Sequence, residues 1–253
     1  MSTGRKIVFV IALMVFVGAL GAILNHYVTG WRAEKALTDL AELKTDEQED
    51  LVTDKGIVIG KYVDLYKKNS DIIGWLTVDG TRMDYPIMQT QNDPEFYLRR
   101  NFDKEYSISG VPFMDAQSDI FKPTANWMLY GHNMKDGTMF HDLLEFAEED
   151  FYQQHKTIKF DTIYKGGQGE YQIVAAFYSQ IYPEDKKVFK YYNYAGMTSK
   201  QQFNGFVKGV KGLSQYDTGV DAKYGDQLIT LSTCSYHVPD KLGRFAVVAK
   251  RIK

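Results

Sequence analysis

Cysteine is almost missing from this chain: 253 residues contain one, Cys234. No disulfide can form within the chain, and a single sulfur cannot build a thiolate metal site. The lone thiol is therefore free, joined to another molecule, or reactive. An excess of either charge is missing too, with 30 Lys and Arg against 32 Asp and Glu and a formal net charge of -2. A nucleic-acid binder would carry a basic excess or stripe, so nucleic acid is not an expected partner. There is no His-Glu-x-x-His pair, no Gly-x-Ser-x-Gly elbow and no phosphate loop, which argues against zinc, serine-hydrolase and nucleotide chemistry. No metal and no cofactor are expected. Internal repeats and low-complexity tracts are absent as well. What remains is a globular composition, 44% hydrophobic, enough for one sizeable core and not for two large domains. Aromatic residues reach 14%, with 18 Tyr, a bias towards strands and towards a substrate groove.

The N-terminus carries a long apolar run. Arg5 and Lys6 precede Ile7 to Leu24, a stretch without charge or proline. At 1.5 Å per residue it makes a helix of about 27 Å, close to the hydrocarbon thickness of a bilayer. The basic residues come first, so the positive-inside rule leaves the N-terminus in the cytoplasm and the remainder outside. A cleaved signal peptide is the competing reading, since Gly18 to Ala22 imitates a small-residue cleavage site. The run is long for that purpose, and polar helix-forming sequence follows it. The expectation is a single-pass membrane anchor through residues 7–24.

Behind the anchor, Trp31 to Leu51 is rich in Ala, Glu, Lys, Asp and Leu, and reads as a stalk helix with a thin stripe at Leu37, Leu40 and Leu43. A short helix is expected through Tyr62–Lys68. From Ile72 the texture turns to strands. Ile73 to Val78 and a segment through Met88 form a hairpin around Asp79-Gly80. Further strands are expected at Gly110–Met114, Asn126–Tyr130, Thr157–Ile163, Glu170–Tyr182, Gln227–Cys234 and Arg244–Ile252, with helices at Phe140–Glu149 and Ser199–Leu213. The expected division is 1–30 as cytoplasmic tip and anchor, 31–56 as helical stalk or linker, and 57–253 as a mostly β domain. Short strands at this spacing suggest a barrel or a sandwich.

The chemistry concentrates near the C-terminus. The strand Asp226 to Cys234 ends on the cysteine, and Arg244 opens the next strand after the loop Ser235 to Gly243. If the two pair as a hairpin, Cys234 and Arg244 face each other with Cα atoms about 5 Å apart. Arginine cannot act as a base, because its pKa exceeds about 12. It can lower a thiol's pKa and hold an oxyanion or a substrate carbonyl. A buried inert thiol is the usual fate of a free cysteine, yet an exposed thiol outside the cell is an oxidation liability that needs a reason.

A thiol that cleaves an amide needs an acid for the leaving amine, and histidine supplies one near neutral pH. His132, at the end of the strand-like Trp127 to Gly131, is the candidate; the bland alternative is a histidine bonded to backbone. His237, in the loop behind the cysteine, is its main rival. His26 borders the membrane, His141 caps or packs a helix, and His155 lies in a polar connection.

Together these pieces resemble the sortases. Thr230-Leu-Ser-Thr-Cys234 is similar to the family's cysteine motif, Arg244 to its arginine, and Tyr130-Gly131-His132-Asn133 to its histidine motif. The order His, Cys, Arg behind an N-terminal anchor also matches, over nearly the whole chain. Class B is the closest fit, through Gly131 to Phe140, Tyr85-Pro-Ile-Met-Gln89 with Asp93 to Leu98, and the Ser199–Leu213 helix. Asp93-Pro94 lies inside the domain, unlike the N-terminal lid motif of class C.

The resemblance implies an eight-stranded sortase-type β-barrel with peripheral helices. It also implies a two-step transfer without metal or cofactor. Cys234 would cleave a Pro- and Thr-containing sorting signal of a secreted protein through a thioacyl intermediate, and a peptidoglycan amine would resolve it. His132 would protonate the leaving group, Arg244 would hold the carbonyl or oxyanion, and Leu98, Tyr130 and Ser232 would line the substrate groove. A Gram-positive envelope is implied as the setting. Two positions depart from the pattern: Ser235 is acidic in some class B enzymes, and Pro94 stands where Asn can occur.

An unperturbed cysteine is about 3% ionised at pH 7, so either a thiolate–imidazolium pair or a mostly neutral pair could start the reaction. Two other functions compete. A cysteine hydrolase would accept water in place of an amine, and a membrane-tethered peptide-binding barrel would not need the thiol.

Overall fold

The structure, a computed structural model, describes residues 3–45, 48–122 and 124–253, without the side chains of residues 6, 7, 22, 23, 25–27, 29 and 31–33. His26 thus lies outside the described side chains. The chain falls into two compact units, Met1–Leu40 and Ala41–Lys253.

Helix α1 runs from Thr3 to Glu42. Its stretch Thr3–Gly21 has a mean hydropathy of 1.9 and is long and apolar enough to cross a membrane. Val8, Phe9, Val15 and Phe16 are all bare, a face that a bilayer's hydrocarbon would cover. The helix ends earlier than the stalk composition suggests. Leu51–Thr53 and Gly56–Val58 form instead a small hairpin, β1 and β2. Its turn, Asp54-Lys55, lies between the paired Thr53 and Gly56, and Gly56 has a φ of 143°, which a side chain would resist. Helix α2 (Val63–Lys68) follows.

Eight strands close into a barrel: β3 (Ile72–Thr77), β4 (Asp84–Met88), β5 (Phe113–Met114), β6 (Asn126–Tyr130), β7 (Thr157–Thr162), β8 (Glu170–Gln180), β9 (Leu228–Cys234) and β10 (Gly243–Arg251). Their order around the barrel is β10-β8-β7-β3-β4-β5-β6-β9, and β9 returns to β10. Pairing is antiparallel except for β4 with β5 and β6 with β9. Closure leaves no long open edge. The β3–β4 connection spans Val78 to Met83, a longer loop than a two-residue turn, with Gly80 at φ 80°.

Alternation along the strands sorts inside from outside. Trp127 of β6 meets Phe160 of β7 edge-on at 5.7 Å, although the two strands are not neighbours, so both rings fill the interior. The opposite face of β6, β8, β9 and β10 offers Met128, Phe177, Leu228, Ala246 and Val248 to a second cluster. Helix α4 (Lys200–Leu213) covers that face with Phe203, Phe206 and Val210, which share one side of the helix. Ser199 caps it, and Gln202 completes a capping box. The expected helix over Phe140–Glu149 is a 3-10 turn, Asp142–Ala147, then α3 (Glu149–Gln154). Extended backbone at Glu148 (φ -95°, ψ 127°) separates the two.

Candidate active site

Three strand ends meet at one rim of the barrel because of two pairing directions. β9 runs parallel to β6, with Tyr130 beside Ser232, so both strands finish at the same rim. β10 runs antiparallel to β9 and begins there, with Arg244 directly opposite Cys234. Continuing the β6–β9 register by two residues sets His132 beside Cys234. His132, two residues past the end of β6, thus falls level with Cys234 of β9 and Arg244 of β10, a row at the barrel's rim. A shift of one residue in either pairing would turn the row's members to opposite faces.

The histidine is held from two sides. Its Nε2 lies 2.9 Å from the carbonyl of Leu98. A carbonyl can only accept, so Nε2 carries hydrogen and Nδ1 remains the nitrogen that can gain a proton. Burial pushes the imidazole's pKa below the usual 6.5; the Leu98 bond opposes this and the nearby Arg99 charge adds to it. Leu98 belongs to the 3-10 turn Phe96–Arg99. Tyr97 anchors that turn by donating to Asp71 at 2.7 Å and accepting from Asn69 at 2.8 Å. Gly110 packs against it so closely that a Cβ would lie 2.6 Å from the Leu98 oxygen, at a φ of 57°. From the other side, the amide of Phe140 donates to the His132 carbonyl at 2.8 Å. The Phe140 ring fills the space that a Cβ on Gly131 would need, 2.6 Å away.

Arg244 uses Nη1 on the carbonyls of Gly243 at 2.8 Å and Lys241 at 3.0 Å. Those bonds steady the guanidinium and leave Nη2 and Nε with donors of their own. Cys234 is half-buried.

These three residues border a cavity of about 380 Å³, also lined by Leu98, Tyr130 and Ser232. Tyr130 donates to Asp115 at 3.0 Å; burial first, then the Asp115 charge, holds its pKa far above the usual value. Ser232 is buried and 2.6 Å from the Tyr191 hydroxyl, whose pKa burial pushes up to about 12. Both tyrosines therefore stay neutral. Pro94 and Glu95 also border the cavity. Ser235 does not: it is buried and bonded to Nδ1 of His237.

His237 packs its ring on Tyr178 and is absent from the cavity wall. His141 sits against Asn133 at 2.9 Å, and His155 against the Asp79 carbonyl at 2.8 Å. Ile181, Tyr191 and Tyr192 complete one wall. The sequence reading omitted them; the aromatic run Tyr191-Tyr-Asn-Tyr194 was their available signal. Among the described residues no cluster of three His, Cys, Asp or Glu could hold a metal ion.

Comparison with known proteins points the same way. Residues 76–252 match the Sortase domain family. Sortase B of Listeria monocytogenes is 32% identical over 234 residues, covering 88% of this chain and 91% of that one. Among solved structures, sortase B from B. anthracis in complex with AAEK1 superimposes with a TM-score of 0.74 at 28% identity, over 90% of this chain and 99% of that one. A Staphylococcus aureus sortase B–substrate complex gives 0.66 at 31%, over 76% and 85%.

Proposed function

The chain belongs to the sortase family, with its likeness in class B, and from that premise we propose that it is a membrane-anchored transpeptidase acting through a thioacyl intermediate on Cys234. The observation that carries the reading is the row His132, Cys234, Arg244 on three neighbouring strand ends, open to one cavity. The Cys234 thiol passes its proton to Nδ1 of His132, and the sulfur attacks the carbonyl after the Thr of a Pro- and Thr-containing sorting signal. The amide C–N bond breaks, and His132 gives its proton to the departing amine. A peptidoglycan amine, from a precursor or a stem peptide, then attacks the thioester. Its proton passes to His132, the sulfur leaves, and a new amide joins the secreted protein to the wall. Arg244 supplies N–H donors to the carbonyl oxygen as negative charge builds on it.

Leu98, Tyr130 and Ser232 shape the groove for the signal. Their positions on the cavity wall support this. Arg5 and Lys6, ahead of the apolar run, favour a cytoplasmic N-terminus and a catalytic domain outside, in a Gram-positive type of envelope. On this reading residues 1–30 anchor, 31–56 form stalk and linker, and 57–253 carry the chemistry.

The test uses the full chain in detergent micelles with fluorogenic peptides of the Asn-Pro-x-Thr and Leu-Pro-x-Thr types, with and without an amine acceptor. Cleavage, a mass adduct on Cys234 and a product joined to the amine are expected, all lost in Cys234→Ala. Cleavage that survives in Cys234→Ala would overturn the reading.

A further inference from the structure

Asn133 stands directly after the histidine of the row, and its side chain does something the ladder would otherwise do. Along the β6–β9 pair the amide of Gly131 donates to the carbonyl of Ser232 at 3.2 Å. Thr233 adds a side-chain rung, its hydroxyl donating to the Gly131 carbonyl at 2.7 Å. The parallel pattern would next have the amide of residue 133 donate to the carbonyl of Cys234. At this rung the donor is the side-chain amide of Asn133, 3.1 Å from the Cys234 oxygen. The bond spans 101 positions of sequence. It also falls on the peptide unit that carries the reactive sulfur.

The amide of Asn133 is itself oriented. Its Oδ1 lies 2.9 Å from Nδ1 of His141. Because Nδ2 donates to a carbonyl, Oδ1 must accept, so Nδ1 of His141 carries hydrogen. The loop between the two residues closes on itself and so fixes their separation. Asn133 bridges Met139 in antiparallel fashion, Gly137 donates to the Met134 carbonyl at 3.1 Å, and Met139 takes a φ of 58°. A non-glycine residue held there is a strained element that its surroundings impose.

We propose that Asn133, oriented by His141, is a positioning residue: it pins the Cys234 carbonyl and thereby sets the thiol's place beside the His132 imidazole. Neither residue lines the cavity; the pair acts through Cys234. The inference rests on the transpeptidase reading for its effect on turnover, but not for its effect on the thiol. Thiol attack needs alignment of sulfur and imidazole to within a fraction of an ångström, and small misplacements cost rate more than binding.

The test measures two things on full-length protein in micelles: steady-state cleavage of the better sorting peptide, and alkylation of Cys234 by iodoacetamide at pH 7, which needs no peptide. For Asn133→Ala the expectation is kcat about tenfold lower with KM within about twofold, and alkylation slowed several-fold. His141→Ala should show a smaller loss of the same kind. His141→Asn, which places an amide N–H near the Nδ1 position, should recover most of it. Unchanged kcat and alkylation in Asn133→Ala would overturn the proposal. So would a loss that His141→Asn does not recover, or one matched by a fall in melting temperature, since either marks a general structural defect. If wild-type protein cleaves no peptide but Asn133→Ala still slows alkylation, the transpeptidase reading fails while the positioning role stands.

Discussion

Two concave regions of the barrel make an instructive pair, and the larger of this pair is not the one with the row of reactive groups. A cavity of about 550 Å³ on β3, β4 and β7 is lined by Lys44, Trp75, Asp84 and Asp161 among others, against about 380 Å³ at the Cys234 rim. In the larger one the polar groups are spent on one another. Asp84 accepts from Trp75 Nε1 at 2.5 Å, Thr77 Oγ1 at 2.9 Å and Lys44 at 3.3 Å. Lys44 also lies 4.0 Å over the Trp75 ring. Tyr62 donates to Asp161 at 3.0 Å, and Lys253 pairs with Glu170 at 2.9 Å.

The ionisation of Lys44 and Asp84 shows the same self-sufficiency. Burial lowers the pKa of Lys44, with Asp84 partly offsetting it. Burial would raise Asp84, but the Trp75 N–H and Lys44 outweigh it and hold the carboxyl below the usual range. At the Cys234 rim, by contrast, His132 and Arg244 are each held through one nitrogen and keep others for a ligand. A site is recognised by chemistry left unspent, not by volume.

Substitutions in the two regions should separate activity from stability. The largest effect is expected from Cys234→Ala, which should cut peptide cleavage by about 10⁴-fold or more if the proposed thioacyl route operates, because it removes the chain's one thiol. Residual cleavage above that level would mean a different nucleophile. Arg244→Ala comes next, with kcat down about 10²–10³-fold. Arg244→Lys should restore little, because a point charge lacks the fork that reaches loop carbonyls and substrate together. A kinetic comparison of the two variants decides this.

In the other region, Asp84→Ala should leave kcat of the folded enzyme within about twofold. It strands the buried Trp75 N–H, at a stability cost of about 1–3 kcal/mol in thermal or urea unfolding. Asp84→Asn, still an acceptor, should lose less.

The smallest effect is a pH dependence. His132 has a folded pKa below its unfolded 6.5, so the unfolded chain binds the proton first. Its stabilising contribution is present above about pH 6.5 and is lost as pH falls through that value towards the folded pKa. Unfolding curves of wild type and His132→Gln should therefore converge in slope above pH 6.5 and diverge below it, the variant being less acid-sensitive. Parallel curves throughout would contradict the assigned direction.

Much of the barrel was legible because its signals are local. The β9–β10 hairpin, with Arg244 opposite Cys234, follows from two β-prone runs joined by one short loop. The α4 helix follows from Phe203, Phe206 and Val210 on one side and a Ser199–Gln202 capping box. The β1–β2 hairpin was not legible: three-residue strands carry no period, and an acidic, lysine-rich stretch favours helix on composition. Nor was the break at Glu148, where helix-forming residues on both sides hide an extended linker.

By itself, then, the sequence determined most of the barrel strands, the apolar N-terminal helix, and the residue types that could cleave and rejoin an amide. It did so through nearest neighbours: alternation, turn residues and capping act over a few positions. Tertiary structure decided which histidine shares a cavity with the thiol. Of His132, His141, His155 and His237, His132 lines the cavity with Cys234; it follows β6, which pairs in parallel with β9, and strands that pair in parallel lie far apart in the chain. It likewise decided that Leu98 holds the imidazole and Asn133 the thiol's own carbonyl, and that Lys44 is used up over Trp75. Such contacts are fixed by barrel closure, which satisfies each strand's hydrogen bonds only in one order and register, and no local run of residues encodes that order.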